Sequence, residues 1–297
     1  MTGFFNGLAT AMITPFYDNG GVNYGAFAKM IDRQIEGGTD VLVVAGTTGE
    51  PATMTEAEIE ELMRFTVKYT AKRAKVVFGS GANSTARAVA ASKKAEAFGA
   101  DGLLVVTPYY NKCTQNGIYE YYKAISDEVN IPIICYNVPS RTGVNILPAT
   151  MERIAVLPHI AGIKEACGNM EQICETMRRI RGKCDMYSGD DNLNLPITAI
   201  GGSGLISVAS NLLPADVKKV FTLTKAGKLA EANEVQDKLL PVIDACFTEV
   251  NPIPVKAGAN MLGLNAGVPR GPLTELEEAH KEVMRTALKN YGLEIAE

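Results

Sequence analysis

The sequence predicts an α/β protein, a (β/α)8 TIM barrel carrying a three-helix C-terminal appendage. Three observations lead there. Eight short apolar runs alternate with helical stretches through most of the chain. The runs are apolar throughout rather than alternating, as strands buried on both faces of a parallel sheet should be. After about residue 225 the strand pattern stops and helical periodicity takes over.

The runs lie near 7–13, 40–44, 75–79, 102–106, 132–136, 161–164, 184–188 and 204–208, short and rich in β-branched residues. Eight such units, each followed by a helix, imply closure into a barrel. Between them, Thr55-Glu56-Ala57-Glu58 reads as a capping box, with Ile59, Leu62, Met63 and Val67 recurring at helical spacing behind it. Asn83 is the expected cap of the next helix, which ends at Phe98-Gly99, and Pro214 opens another. The barrel is assigned to residues 1–226 and the helical domain to 227–297. In the latter, helices are expected over Gly227–Phe247 and Pro252–Leu262. A third follows a capping box at Thr274-Glu275-Leu276-Glu277 and presents Val283, Met284, Ala287 and Leu288 on one side. An open doubly wound sheet is less well supported, because Gly79-Ser80-Gly81 and Gly201-Gly202-Ser203-Gly204 are incomplete dinucleotide-binding fingerprints.

Composition excludes several classes of function. A net charge of −4 leaves no basic stripe for nucleic acid or an anionic membrane, and no apolar run reaches spanning length. The N-terminus has no early Lys or Arg before its apolar residues, so no secretory or mitochondrial leader is expected. The six cysteines (113, 135, 167, 174, 184 and 246) form no CxxC and read as reduced thiols of a cytoplasmic protein. Only His159 and His280 are present, so neither a zinc site nor a Ser-His-Asp triad is expected, and no metal or cofactor is called for.

Chemistry in such a barrel collects at the C-terminal ends of the strands. The unusual residues fall there. The second run enters Gly46-Thr47-Thr48-Gly49-Glu50, the fourth Thr107-Pro108-Tyr109-Tyr110-Asn111, and the fifth Tyr136-Asn137-Val138-Pro139-Ser140-Arg141. The sixth, His159-Ile160-Ala161-Gly162-Ile163-Lys164, ends on a lysine. Such a lysine either runs out to solvent or is held beside a pocket, where burial favours the neutral amine that attacks a carbonyl. The resulting imine is an electron sink, and the enamine formed from it adds to an aldehyde. With no histidine at hand, Tyr136 is the candidate proton carrier, in a relay with Thr47 and a second phenol. Thr47 and Thr48 either form a plain turn or offer hydroxyls and N–H groups to a small carboxylate. Arg141 is either a surface ion pair or a two-pronged donor to another carboxylate.

Six segments together resemble the dihydrodipicolinate synthase family, within the N-acetylneuraminate lyase superfamily of class I pyruvate aldolases. They are Thr14-Pro15-Phe16, Gly46-Thr47-Thr48-Gly49-Glu50, Val106-Thr107-Pro108-Tyr109-Tyr110-Asn111, Tyr136-Asn137-Val138-Pro139-Ser140-Arg141-Thr142-Gly143, Gly162-Ile163-Lys164-Glu165-Ala166 and Asn251-Pro252-Ile253-Pro254-Val255-Lys256. The resemblance implies condensation of pyruvate with L-aspartate-4-semialdehyde on the route to lysine and diaminopimelate. It implies that Lys164 forms the imine and that Tyr136, Thr47 and Tyr110 relay protons, Tyr110 reaching in from a neighbouring subunit. Thr48 would hold the pyruvate carboxylate and Arg141 the semialdehyde's, with Gly189 and Ile206 lining the pocket through main-chain groups. A homo-oligomer follows, a tetramer of tight dimers. Lysine-inhibited relatives place histidines and a glutamate where this chain has Glu56, Ile59 and Arg87, although Asn83 and Tyr109 remain as an allosteric remnant. Weak or absent feedback by lysine is the expectation. The competing readings are a sister aldolase acting on N-acetylneuraminate or a keto-deoxy-sugar acid, and a non-catalytic barrel that binds a keto acid.

Overall fold

The computed structural model describes residues 3–296. All eight apolar runs form strands: β1 (Gly7–Ala11), β2 (Val41–Val44), β3 (Lys75–Gly79), β4 (Gly102–Val106), β5 (Ile133–Asn137), β6 (Ile160–Glu165), β7 (Asp185–Ser188) and β8 (Gly204–Ser207). They are parallel and close in chain order, β8 pairing with β1, into a (β/α)8 TIM barrel. The helices between and after them are α1 (Tyr24–Glu36), α2 (Glu56–Thr70), α3 (Thr85–Ala97), α4 (Gln115–Ser126), α5 (Pro139–Thr142), α6 (Pro148–Ile154), α7 (Met170–Ile180), α8 (Asn194–Ala199) and α9 (Pro214–Lys225). The appendage is α10 (Leu229–Ala245), α11 (Ile253–Met261) and α12 (Glu278–Tyr291).

Period-two alternation sorts every strand onto two cores. Val41, Val43, Ile134, Tyr136, Tyr187 and Ile206 fill the barrel interior. Leu42, Val44, Ile133, Cys135, Ile163 and Leu205 face outward into the layer shared with the helices. The N-terminal end of the barrel is plugged from below: the Phe5 ring stacks on Tyr187 with centroids 4.1 Å apart, and Tyr187 Oη donates to Phe5 O at 3.2 Å. Apolar plugging at one end leaves polar side chains to gather at the other.

Local signals set most boundaries. Thr55 and Glu58 form the expected capping box on α2, Thr55 N donating to Glu58 Oε2 at 2.9 Å and Glu58 N to Thr55 Oγ1 at 3.3 Å. Two caps differ from expectation. Ser84, not Asn83, stands at the start of α3, and the Asn83 carbonyl instead accepts from Asn111 Nδ2 at 3.0 Å. The capping box at Thr274 does not form. α12 starts at Glu278, because the Glu277 N–H is taken by Glu249 Oε1 at 2.9 Å from the loop between α10 and α11. Its buried face is Met284, Ala287 and Leu288, while Val283 is exposed.

Candidate active site

Lys164 is the last inward-facing residue of β6, in register with Tyr136 on β5 and Tyr187 on β7. Its side chain is only 4% exposed, and its Nζ sits over the Tyr136 ring, 4.3 Å from the centroid. Among the described residues no carboxylate lies within 4.0 Å of that nitrogen. It faces a cavity of about 510 Å³ at the C-terminal mouth of the barrel. Gly189, at the end of β7, makes room for it: a Cβ there would stand 3.0 Å from Lys164 Cγ and 2.9 Å from Ala166 Cβ. Only glycine leaves the lysine stem its present course.

The same cavity gathers Thr47, Thr48, Tyr136, Arg141 and Gly189 around Lys164. Thr47, Thr48 and Gly49 make a single 3-10 turn after β2, with Thr47 exposed and Thr48 buried. Thr48 Oγ1 accepts from Asn251 Nδ2 at 2.9 Å, and Arg141 Nη2, from the one-turn helix α5, donates to the Asn251 carbonyl at 3.2 Å. Asn251 thus ties the two groups expected to hold carboxylates. Its distance in sequence from both partners keeps this role out of any local pattern.

Two expected members do not line this chain's own cavity. Tyr110 is 90% exposed in the loop after β4 and does not line the cavity. Ile206 is buried in the barrel interior beneath the mouth; Val208, just past the end of β8, lines the cavity in its place. Asn83 and Tyr109 sit beyond β3 and β4. Tyr109 lines an adjoining cavity of about 620 Å³ together with Glu56, Ile59 and Arg87. That cavity shares Thr47, Tyr136, Arg141 and Asn251 with the first.

Glu50, buried at the end of the threonine turn, accepts from Lys256 Nζ at 2.8 Å, and both side chains are essentially inaccessible. Lys256, on α11, also donates to the carbonyls of Thr14 and Val268, each at 3.1 Å. Burial pulls its pKa down and Glu50 opposes the shift. Removing either partner of such a pair strands the other, a loss of roughly 3–5 kcal/mol.

The model of the dihydrodipicolinate synthetase family matches residues 4–291. The chain belongs to this family. Within it, the 4-hydroxy-tetrahydrodipicolinate synthase of Caldicellulosiruptor bescii is 48% identical over 293 residues, 99% of each chain. The dihydrodipicolinate synthase structure from Aquifex aeolicus superposes with a TM-score of 0.96 at 42% identity, covering 99% of this chain and all of that one. The enzyme from Cyanidioschyzon merolae, solved with lysine bound, has a TM-score of 0.95 at 37% identity, covering 98% of this chain and all of that one.

One buried acid behind the site had no place in the sequence reading. Glu165 points outward from β6, opposite to Lys164, and is fully buried. It accepts from Asn137 Nδ2 at 2.9 and 3.1 Å and from Cys167 N at 2.9 Å, with no cation within 4.0 Å among the described residues. Asn137 Oδ1 in turn accepts from Ile146 N at 2.9 Å, fixing the start of the next segment. Burial without a counter-ion outweighs these hydrogen bonds and pushes the Glu165 pKa from 4.5 up to about 7. The folded state therefore holds this proton more tightly than the unfolded chain. The stability it contributes is complete below pH 4.5 and is lost as pH rises through about 7. Denaturant titrations of wild type and Glu165→Gln between pH 5 and 8 should diverge, the wild type losing up to a few kcal/mol relative to the variant. Parallel profiles would refute this linkage.

Proposed function

We propose that the chain condenses pyruvate with L-aspartate-4-semialdehyde, as a 4-hydroxy-tetrahydrodipicolinate synthase of lysine and diaminopimelate biosynthesis. The observation that carries this reading is Lys164 Nζ, desolvated in the mouth cavity without an anionic partner and in contact with Tyr136. Family membership and the activity of similar relatives support it. Lys164 attacks the ketone of pyruvate, water leaves, and loss of a methyl proton gives the enamine. That carbon adds to the aldehyde. The amine of the semialdehyde then displaces Lys164 and closes the ring, freeing the lysine for another turn.

Each step moves a proton, and Tyr136, in contact with the lysine, carries it in a relay with Thr47. Thr48 holds the keto-acid carboxylate, while Arg141 at the rim meets the second carboxylate. Gly189 and the main chain near Ile206 shape the pocket floor. Borohydride reduction with pyruvate should trap an adduct that peptide mapping places on Lys164 and that Lys164→Ala lacks. Tyr136→Phe should keep the fold and lose roughly 10²–10⁴-fold in turnover. An adduct at another residue, or none, sinks the reading. A sugar-acid lyase would instead cleave its sugar acid and ignore the semialdehyde.

Tyr110 enters this scheme from a second copy of the chain, in a homo-oligomer built as a tetramer of tight dimers. Its near-complete exposure away from its own cavity supports that placement. Co-expressed Tyr110→Phe and Lys164→Ala chains should recover turnover that neither variant has alone, because each mixed pair holds one complete site. No recovery in proven mixed oligomers would rule out sharing between subunits.

Lysine is not an effective inhibitor in this proposal. Arg87 lines the adjoining cavity beside Tyr109, and its charge opposes the ammonium groups of lysine. Asn83 is engaged through its carbonyl with Asn111. Initial rates should hold steady into the millimolar range of L-lysine, and strong inhibition below that range would contradict the reading. No helix among the described residues is long and apolar enough to cross a membrane. The cysteines are free thiols, which supports a cytoplasmic setting.

A further inference from the structure

The semialdehyde carries three features that a site can read: the aldehyde, a carboxylate, and an ammonium on the same carbon as that carboxylate. The proposed roles of Lys164, Thr48 and Arg141 account for the aldehyde and for both substrates' carboxylates. Nothing yet answers the ammonium. Besides Lys164 and Arg141, the charged residues lining the mouth cavity are Asp190 and Asp244. They differ in availability. Asp190 is half-buried after β7 and caps the turn that follows, accepting from Asn192 N at 3.0 Å. Asp244 is exposed at the last turn of α10, and among the described residues no donor or cation engages its carboxylate. Arg141 is likewise without an ion pair there, its one bond going to the Asn251 carbonyl.

We propose that Asp244 and Arg141 together read the zwitterionic head of the amino-acid aldehyde, Asp244 taking the ammonium. An acid and a guanidinium that both line the cavity and are both left unpaired match a ligand whose opposite charges sit on a single carbon. Neither residue has to break an internal ion pair to bind. Asp244 is then the specificity-determining residue for the amine. The pairing also turns the amine-bearing carbon to one side as the aldehyde approaches Lys164, which orients the amine for ring closure.

The inference rests on the pyruvate-aldolase reading, and the test separates the two. The KM for L-aspartate-4-semialdehyde is compared with the inhibition constant of succinate semialdehyde, which lacks only the amine, in wild type, Asp244→Asn and Asp244→Glu. Borohydride trapping of pyruvate is run on each protein. Asp244→Asn should raise the KM for the aminated aldehyde roughly five- to tenfold, leave binding of the amine-free analogue unchanged or tighter, and still trap pyruvate. Asp244→Glu should restore much of the loss. A purely structural role would weaken both aldehydes together, and that result, or no change in their ratio, overturns the inference. Absence of a pyruvate adduct in the wild type would overturn the underlying reading and this one with it.

Discussion

The ion pair between Lys256 and Glu50 is the constraint on which the mouth of the barrel depends. It joins α11 to the loop after β2 across 206 positions of sequence, with no solvent access to either side chain. Two desolvated charges hold together only if their remaining hydrogen-bonding capacity is also met. Here it is. Lys256 donates to the Thr14 and Val268 carbonyls and lies 4.3 Å from the Phe16 ring centroid, while Glu50 Oε2 accepts from Arg270 N at 2.9 Å. Glu50 itself adopts a left-handed backbone, φ 58°, directly after the threonine turn. Fixing Glu50 therefore fixes the direction in which Thr47 and Thr48 leave the strand. Thr14 adds a second brace, its Oγ1 donating to the Gly49 carbonyl at 2.7 Å.

The appendage is thus part of the site's construction. The loop between α10 and α11 brings Asn251 to Thr48 and Arg141 and Phe247 to the rim, and the last turn of α10 brings Asp244 there. A barrel alone supplies a ring of strand ends around a packed interior. The helices that follow it convert one side of that ring into a wall.

Much of this was legible in the chain because it rests on local rules. Apolar runs of strand length, capping signals and glycine stops placed all eight strands and the appended helices. Lys164 and Tyr136 stood out as polar residues closing apolar strands, and parallel register between β5 and β6 puts them side by side. What was not legible depends on pairs distant in sequence. Glu50 and Lys256 were both visible inside motifs, yet nothing local says that they meet. The start of α12 was misplaced because its first free N–H is claimed by Glu249, a competitor that a capping pattern cannot reveal. Ile206, which the family resemblance puts in the pocket lining, has its side chain one level deeper, among the barrel-interior residues. A run gives a strand's place but not the level at which its inward side chains stop being core and start being wall.

Two buried lysines at the same end of one barrel show how the fold separates structure from chemistry. Lys256 is surrounded by a carboxylate and two carbonyls, so every proton on its nitrogen has a partner and the residue is fixed. Lys164 is almost as deeply buried but has the Tyr136 ring and open cavity for company. A ring face returns much less to a buried nitrogen than a carboxylate does. Lys256 is a fastener with three partners in place, whereas Lys164 keeps its nitrogen beside the open cavity, as the proposed nucleophile must.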